Sequence, residues 1–289
     1  MWFWFAIGSA LASAASVILN KKALKNINAS LVSWSLFAFS IPFLVYPALK
    51  DGWPTINITF IFAVIGSVIT FTYAKTLALR SLKSSLMSDV VPLAFFAVLF
   101  QYVLGLIFLS ESIKFLSIIG LIFIVFGGYI LKVTEAKEDF LKPFKLLISN
   151  NESRAYLLAM IITAVASIFD KISIKNIQPI NQSFVLLIEN ILTTILLTGY
   201  LIRKDKNWTR NLKNNFWSLS LNGMAYLILS LLFFYGITTG AVALVSGVKK
   251  LEVFFVLIFG WLLFRDKPKK EVWIGSLIML LGVILIKLS

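Results

Sequence analysis

VILNKKALKNI, residues 17–27, returns 150 positions later as SIFDKISIKNI, residues 167–177. The two stretches share Lys21/Lys171, Lys25/Lys175, Asn26/Asn176 and Ile27/Ile177. Two further pairs follow in the same order. FTYAKT (71–76) matches FFYGIT (233–238), aligning Tyr73 with Tyr235 and Thr76 with Thr238. GLIFIVFG (120–127) matches GSLIMLLG (275–282), aligning Gly120 with Gly275 and Gly127 with Gly282, and Glu111 corresponds to Asp266 at that same offset of 155. Three matches in one order divide the chain into two repeats, 1–131 and 154–289, joined by a polar linker, 132–153.

Each repeat is built from long apolar segments. Ten are legible: 2–19, 31–49, 58–79, 86–109, 115–131, 156–174, 184–202, 216–237, 241–264 and 272–288. Each is long enough to cross a hydrocarbon core of ~30 Å as a helix. With 59% hydrophobic residues and a mean hydropathy of +0.91, the helices are apolar all round, whereas a soluble bundle has one apolar stripe per helix. Barrel strands would alternate over about ten residues, and these segments do not. The first span has no basic stretch before Trp2 and ends in Asn20-Lys21-Lys22, so it reads as a retained helix, not a cleaved leader. Cysteine and histidine are absent, which excludes disulfides, the usual zinc and haem ligands, and Cys-His or Ser-His catalysis.

Five spans per repeat is an odd number, so the second repeat enters the membrane from the opposite side. The expected fold is therefore all-α and integral to the membrane, with ten transmembrane helices as two inverted five-helix repeats. Inverted repeats are a common basis for alternating access to a site near the midplane, which makes a transporter the leading reading. The loop charges carry an orientation. Of the 27 Lys and Arg, 19 lie in loops that follow odd-numbered spans and five in the even loops and the C-terminal end. The positive-inside rule places the odd loops in the cytoplasm and both termini outside. It also accounts for the net charge of +14 without nucleic acid as a partner.

Charges within the spans are the candidate functional residues. Each costs about 2.5–3.5 kcal/mol at the centre of a spanning helix and so belongs in the bundle interior or a wet cavity. SGVKKLEVFF (246–255) carries three of them, Lys249, Lys250 and Glu252. Lys249 and Glu252 are three residues apart on one helix face, which allows a purely structural ion pair. Lys250 points about 100° away and requires a partner on another helix or a ligand. Glu189, in LLIENILTT (186–194), is a candidate proton site or a counter-ion to either lysine. Asp170 and Lys171 fall late in the sixth span, where interfacial and functional readings both stand. Asp89, just before Pro92, lies roughly opposite the two lysines in the repeat alignment, and Pro92 frees backbone carbonyls there. Tyr73 and Tyr235 are candidates for lining the path or for aromatic packing. Lys21, Lys22 and Lys25 read as headgroup contacts, and the four repeat glycines as points of close helix approach.

Phe140, Leu141, Phe144 and Leu147 among the lysines of the linker suggest a helix lying on the membrane surface. No phosphate-binding glycine motif occurs, so energy is expected from a proton or solute gradient or from exchange.

These repeats resemble the EamA-type transporters of the drug/metabolite transporter superfamily over nearly the whole chain. The likeness is clearest from Tyr235 through VKKLEVFFVLIFGWLLFRDKPKKEVWIGSLIMLLGVILIK (248–287), where a helix ends in Asp266 and a last helix containing Gly275 follows. The Lys249–Lys250 pair is similar to the Lys-Arg pair with which the triose-phosphate and nucleotide-sugar branch meets substrate phosphate. The second residue here is lysine, however, and Val253 stands where many EamA repeats have proline. The fourth span is longer by roughly two turns, since Tyr73 to Glu111 is 38 residues and Tyr235 to Asp266 is 31. The resemblance implies cytoplasmic termini, against the orientation given by the loop charges.

These readings imply a transporter, not an enzyme, moving a small polar, anionic or zwitterionic metabolite without a cofactor or metal. The expected setting is the plasma membrane of a prokaryote, with membrane lipids, protons or a counter-solute as further partners, and a monomer or homodimer. A lipid scramblase or flippase on the same helices is the alternative. A membrane enzyme acting on lipid phosphates is more distant, because it would place acids and metal ligands near an interface.

Overall fold

The computed structural model describes residues 1–84, 95–135, 150–264 and 270–289, with Leu141 and Lys145 between them. The first half contains α1 (Trp2–Leu24), α2 (Ala29–Ala38), α3 (Ile41–Leu49), β1 (Thr55–Ile56), α4 (Ile58–Ser84), α5 (Ala97–Leu109) and α6 (Phe115–Glu135). The second contains α7 (Asn151–Lys175), β2 (Ile177–Gln178), α8 (Gln182–Lys204), α9 (Trp208–Asn214), α10 (Phe216–Thr239), α11 (Val242–Lys249), α12 (Glu252–Phe264) and α13 (Lys270–Leu288). Among the described residues, six segments are long and apolar enough to cross a bilayer: Trp2–Leu24, Ala29–Leu49, Ile58–Ser81, Asn151–Lys175, Gln182–Lys204 and Phe216–Thr239. Shorter apolar helices accompany them at Ala97–Leu109, Phe115–Ile130 and Trp273–Leu288. Helices α2, α7 and α8 each start behind an asparagine, Asn28, Asn150 or Asn181, whose side chain accepts a main-chain N–H at 2.8–3.1 Å.

Two expected spans are interrupted. Residues 31–49 divide into α2 and α3, because Pro42 at the start of α3 supplies no N–H for the Ala38 carbonyl. The Ser40 hydroxyl turns back there onto Phe37 O at 2.6 Å. Residues 241–264 divide at Lys250–Leu251, with neither proline nor glycine at the break. The backbone tightens instead. Leu251 N–H bonds Val248 O at 3.0 Å and Val253 N–H bonds Lys250 O at 3.2 Å, reaching back three residues where an α-helix reaches four.

The helices pack in long pairs, α1 along α10, α4 along α7, and α6 along α13. The buried face of α1 is small, with Ala6, Ser9, Ala10 and Ser13, and Ser9 donates across to Leu229 O at 2.8 Å. Helices α6 and α13 cross at glycines. A Cβ on Gly120 would lie 2.6 Å from Gly282 O, and one on Gly127 would lie 2.7 Å from Gly275 O, so this approach requires residues without side chains. Helix α5 packs on α7 and α11, α1 on α11 and α12, and α8 on α2, α3 and α4, which encloses the centre of the bundle. Outward faces carry large apolar side chains such as Phe62, Ile69, Phe108 and Ile195. Near the ends of α3 and α7, β1 and β2 pair antiparallel, Thr55 with Gln178 and Ile56 with Ile177.

Candidate functional site

A cavity lies at the centre of the bundle, holding about 920 Å³ of empty space, part of it open to the outside. Its walls come from α2, α4, α5, α7, α8, α10, α11 and the start of α12. Five charged side chains reach it: Lys249, Lys250, Glu252, Asp170 and Glu189. Phe37, Phe71, Tyr226, Phe233 and Phe234 supply its aromatic surface.

The lysines and carboxylates are held by different partners. Lys249 Nζ stands over the Phe233 ring at 5.0 Å from its centre, and Lys250 Nζ over the Phe95 ring at 5.8 Å. Each such contact contributes about 0.5–2 kcal/mol. The Ser13 hydroxyl of α1 donates to Glu252, and the Ser67 hydroxyl of α4 donates to Asp170. Glu189 Oε1 and Ser246 Oγ are buried without a hydrogen-bond partner among the described residues. The amides of the wall are engaged, Asn190 donating to Ser40 Oγ at 2.8 Å and Gln101 to Ser167 Oγ at 3.0 Å.

The ion pair that the spacing allows between Lys249 and Glu252 is not made; the ion pairs between described residues are Lys50–Asp51 and Lys171–Glu111. The helix is interrupted between Lys249 and Glu252, and Glu252 turns to Ser13 on another helix. Lys171 is next to Asp170 in sequence but does not line the cavity. It pairs with Glu111 at 2.5 Å and donates to Gly240 O at 2.7 Å. Tyr73 is 56% exposed, and Tyr235 is 38% exposed and stacks on Phe5 at 5.4 Å, so neither stands on the cavity wall. Asp89, Pro92, Asp266 and most of the linker lie outside the described residues.

Sequence reasoning did not single out Ser13 and Ser67, the hydroxyls that hold two of the carboxylates. Lys75 on α4 also lies within electrostatic reach of Lys249 and Glu252. Its position inside an apolar span was the available signal. Among the described residues no group of three or more His, Cys, Asp and Glu is placed to hold a metal ion.

Apolar helices packed around a buried, charged cavity define a polytopic membrane protein with an internal polar compartment. The model of the EamA-like transporter family matches residues 1–133 and 155–288, and the chain belongs to that family. It is an integral, multi-pass membrane protein of a transporter family. A crystal structure described only as that of a protein shares the fold, with a TM-score of 0.74 over 99% of this chain and 96% of that one, at 12% identity. No match to a curated protein accompanies these.

Proposed function

We propose that this chain is a secondary transporter that moves a small polar metabolite bearing a carboxylate or phosphate, and that Lys250 holds the anionic group. The observation that carries this reading is the pair Lys249 and Lys250. Both reach a central cavity, each rests on an aromatic ring, and neither is paired with a carboxylate among the described residues. A buried cation that touches no carboxylate directly is costly, and an anionic ligand within hydrogen-bond distance offsets that cost. Coupling follows from the charges around it. Lys249 and Lys250 share the cavity with Asp170, Glu189 and Glu252, so a bound anion adds a negative charge that a proton on one carboxylate offsets.

Alternating access in this reading uses two inverted halves of five spans, residues 1–131 and 154–289. The neighbour relations support it, since exchanging the repeats turns the α1–α10 pair into α7–α4 and returns the α6–α13 pair to itself. The contact of Gly120 with Gly282 becomes that of Gly275 with Gly127 under the same exchange. The membrane is proposed to be the plasma membrane of a prokaryote. A panel of carboxylate- and phosphate-bearing metabolites, screened by thermal stabilisation of the purified protein, finds the ligand. Lys250→Gln should then abolish that stabilisation and transport while the protein still folds. Wild-type transport with unchanged apparent affinity in Lys250→Gln would make this lysine a structural charge.

A further inference from the structure

Next to Asp170 of the cavity wall, Lys171 belongs to a buried cluster that takes no part in the proposed lysine site. Lys171 donates to Glu111 Oε1 at 2.5 Å and to Gly240 O at 2.7 Å, while Glu111 Oε2 accepts the Val242 N–H at 3.0 Å. The two side chains are only 7% and 9% exposed. The local backbone is shaped around this contact. Ser110 takes the left-handed conformation at φ 52°, uncommon outside glycine, and folds the chain back so that Glu111 N–H bonds Gly105 O at 3.1 Å. Gly105 leaves room for the carboxylate, since a Cβ there would lie 2.8 Å from Glu111 Oε2. The Trp2 indole packs on Gly240, within 2.8–2.9 Å of where a Cβ would stand.

Position in the chain gives the cluster its meaning. Lys171 follows Asp170, a cavity residue, in α7. Val242 opens α11, the helix that carries Ser246 about one turn further on and ends at Lys249. A single carboxylate therefore grips two of the helices that carry cavity charges, α7 through Lys171 and α11 through its first amide. We propose that Glu111 and Lys171 are the seal that shuts the cavity at the end carrying the chain termini, and that their separation opens it to that side. This rests on the alternating-access reading above. An ion pair suits the task. Closed and buried, it excludes water, and when it opens each charge regains hydration, whereas an apolar plug would expose apolar surface. Glu111 also positions α11, so its release frees the lysine-bearing helix to move.

The labelling itself needs no substrate. The chain has no cysteine, so Ser246→Cys places a single thiol in the cavity beside the seal. A membrane-impermeant thiol reagent is applied to intact cells and to inverted vesicles, with Ser289→Cys identifying the face that carries the termini. From that face Ser246→Cys should react slowly. Adding Glu111→Gln, which keeps an acceptor for Val242 but drops the charge that holds Lys171, should raise the rate about tenfold or more. Lys171→Met should do the same and serves if Glu111→Gln does not accumulate. An unchanged rate with a lowered melting temperature would make the pair structural and overturn the proposal, as would rapid labelling from the termini face without either change. Unchanged labelling beside a Lys250→Gln that has lost transport sinks the seal alone. Raised labelling beside a fully active Lys250→Gln sinks the lysine site alone.

Discussion

Replacing Lys250 by methionine should separate function from folding. In the bundle the lysine charge costs about 2.5–3.5 kcal/mol. Two things offset it, the attraction of Glu252 and the Phe95 ring at 5.8 Å, the ring being worth about 0.5–2 kcal/mol. Methionine keeps most of the stem and can touch the same ring through its sulfur. Against the ring alone the difference favours Lys250→Met by about 0.5–3 kcal/mol, a gain that the lost attraction to Glu252 reduces, so at about 2–4 °C per kcal/mol the melting temperature should rise by at most several degrees. Binding moves the opposite way. A hydrogen bond to a charged group contributes about 1.5–3 kcal/mol, so the anionic ligand should bind roughly ten- to a hundredfold more weakly. Thermal melts followed by tryptophan fluorescence, with and without the ligand that stabilises the wild type, read both quantities in one experiment. A variant that melts lower than the wild type and is stabilised by ligand to the same extent would refute the reasoning, because the lysine would then be a structural contact.

Three further outcomes follow from other parts of the molecule. Cysteine at Asn207 should be shielded from an impermeant thiol reagent in intact cells while cysteine at Ser289 reacts, and the reverse would show that the loop charges do not set the orientation. Gly120→Leu should cost at least about 1–3 kcal/mol by forcing α6 from α13, whereas Gly199→Ala, with nothing within 4 Å of the new Cβ, should be tolerated; equal melting temperatures would dismiss the glycine crossing. Ser13→Ala should cost about 1–3 kcal/mol by leaving the Glu252 carboxylate without its donor, and a stability cycle with Glu252→Gln should show coupling; additive effects would mean that this hydrogen bond is not made.

Much of the architecture was legible because it rests on local pattern. Apolar length marked the spans, and the matched glycines at 120, 127, 275 and 282 marked a crossing that depends on the absence of side chains. Pro42, the cause of the break between α2 and α3, lies within the segment 31–49 that apolar length alone makes one span, although its signal was legible. The break at Lys250–Leu251 was not, because no residue there forbids a helix and the tighter turn depends on what surrounds it. Charges inside spans pointed to the cavity for the reason that makes them costly, which is why Asp170, Glu189, Lys249, Lys250 and Glu252 meet there. Their partners were hidden. Ser13 and Glu252 are far apart in the chain, as are Glu111 and Lys171, and a serine in an apolar helix carries no signal of its own. The repeat match of Tyr73 with Tyr235 drew attention to outward-facing positions, since an inverted repeat aligns the outer surface as readily as the centre.

That Lys250 holds the anionic end of a transported metabolite is tested most directly by uptake into sealed vesicles containing the purified protein. The solute is the carboxylate- or phosphate-bearing compound that stabilises the wild type. Uptake should be saturable, absent from protein-free vesicles, and lost in Lys250→Gln while Gly199→Ala retains it. Uptake by Lys250→Gln at the wild-type rate and affinity would contradict the account, as would a protein that carries no soluble anion and only moves labelled phospholipid between leaflets.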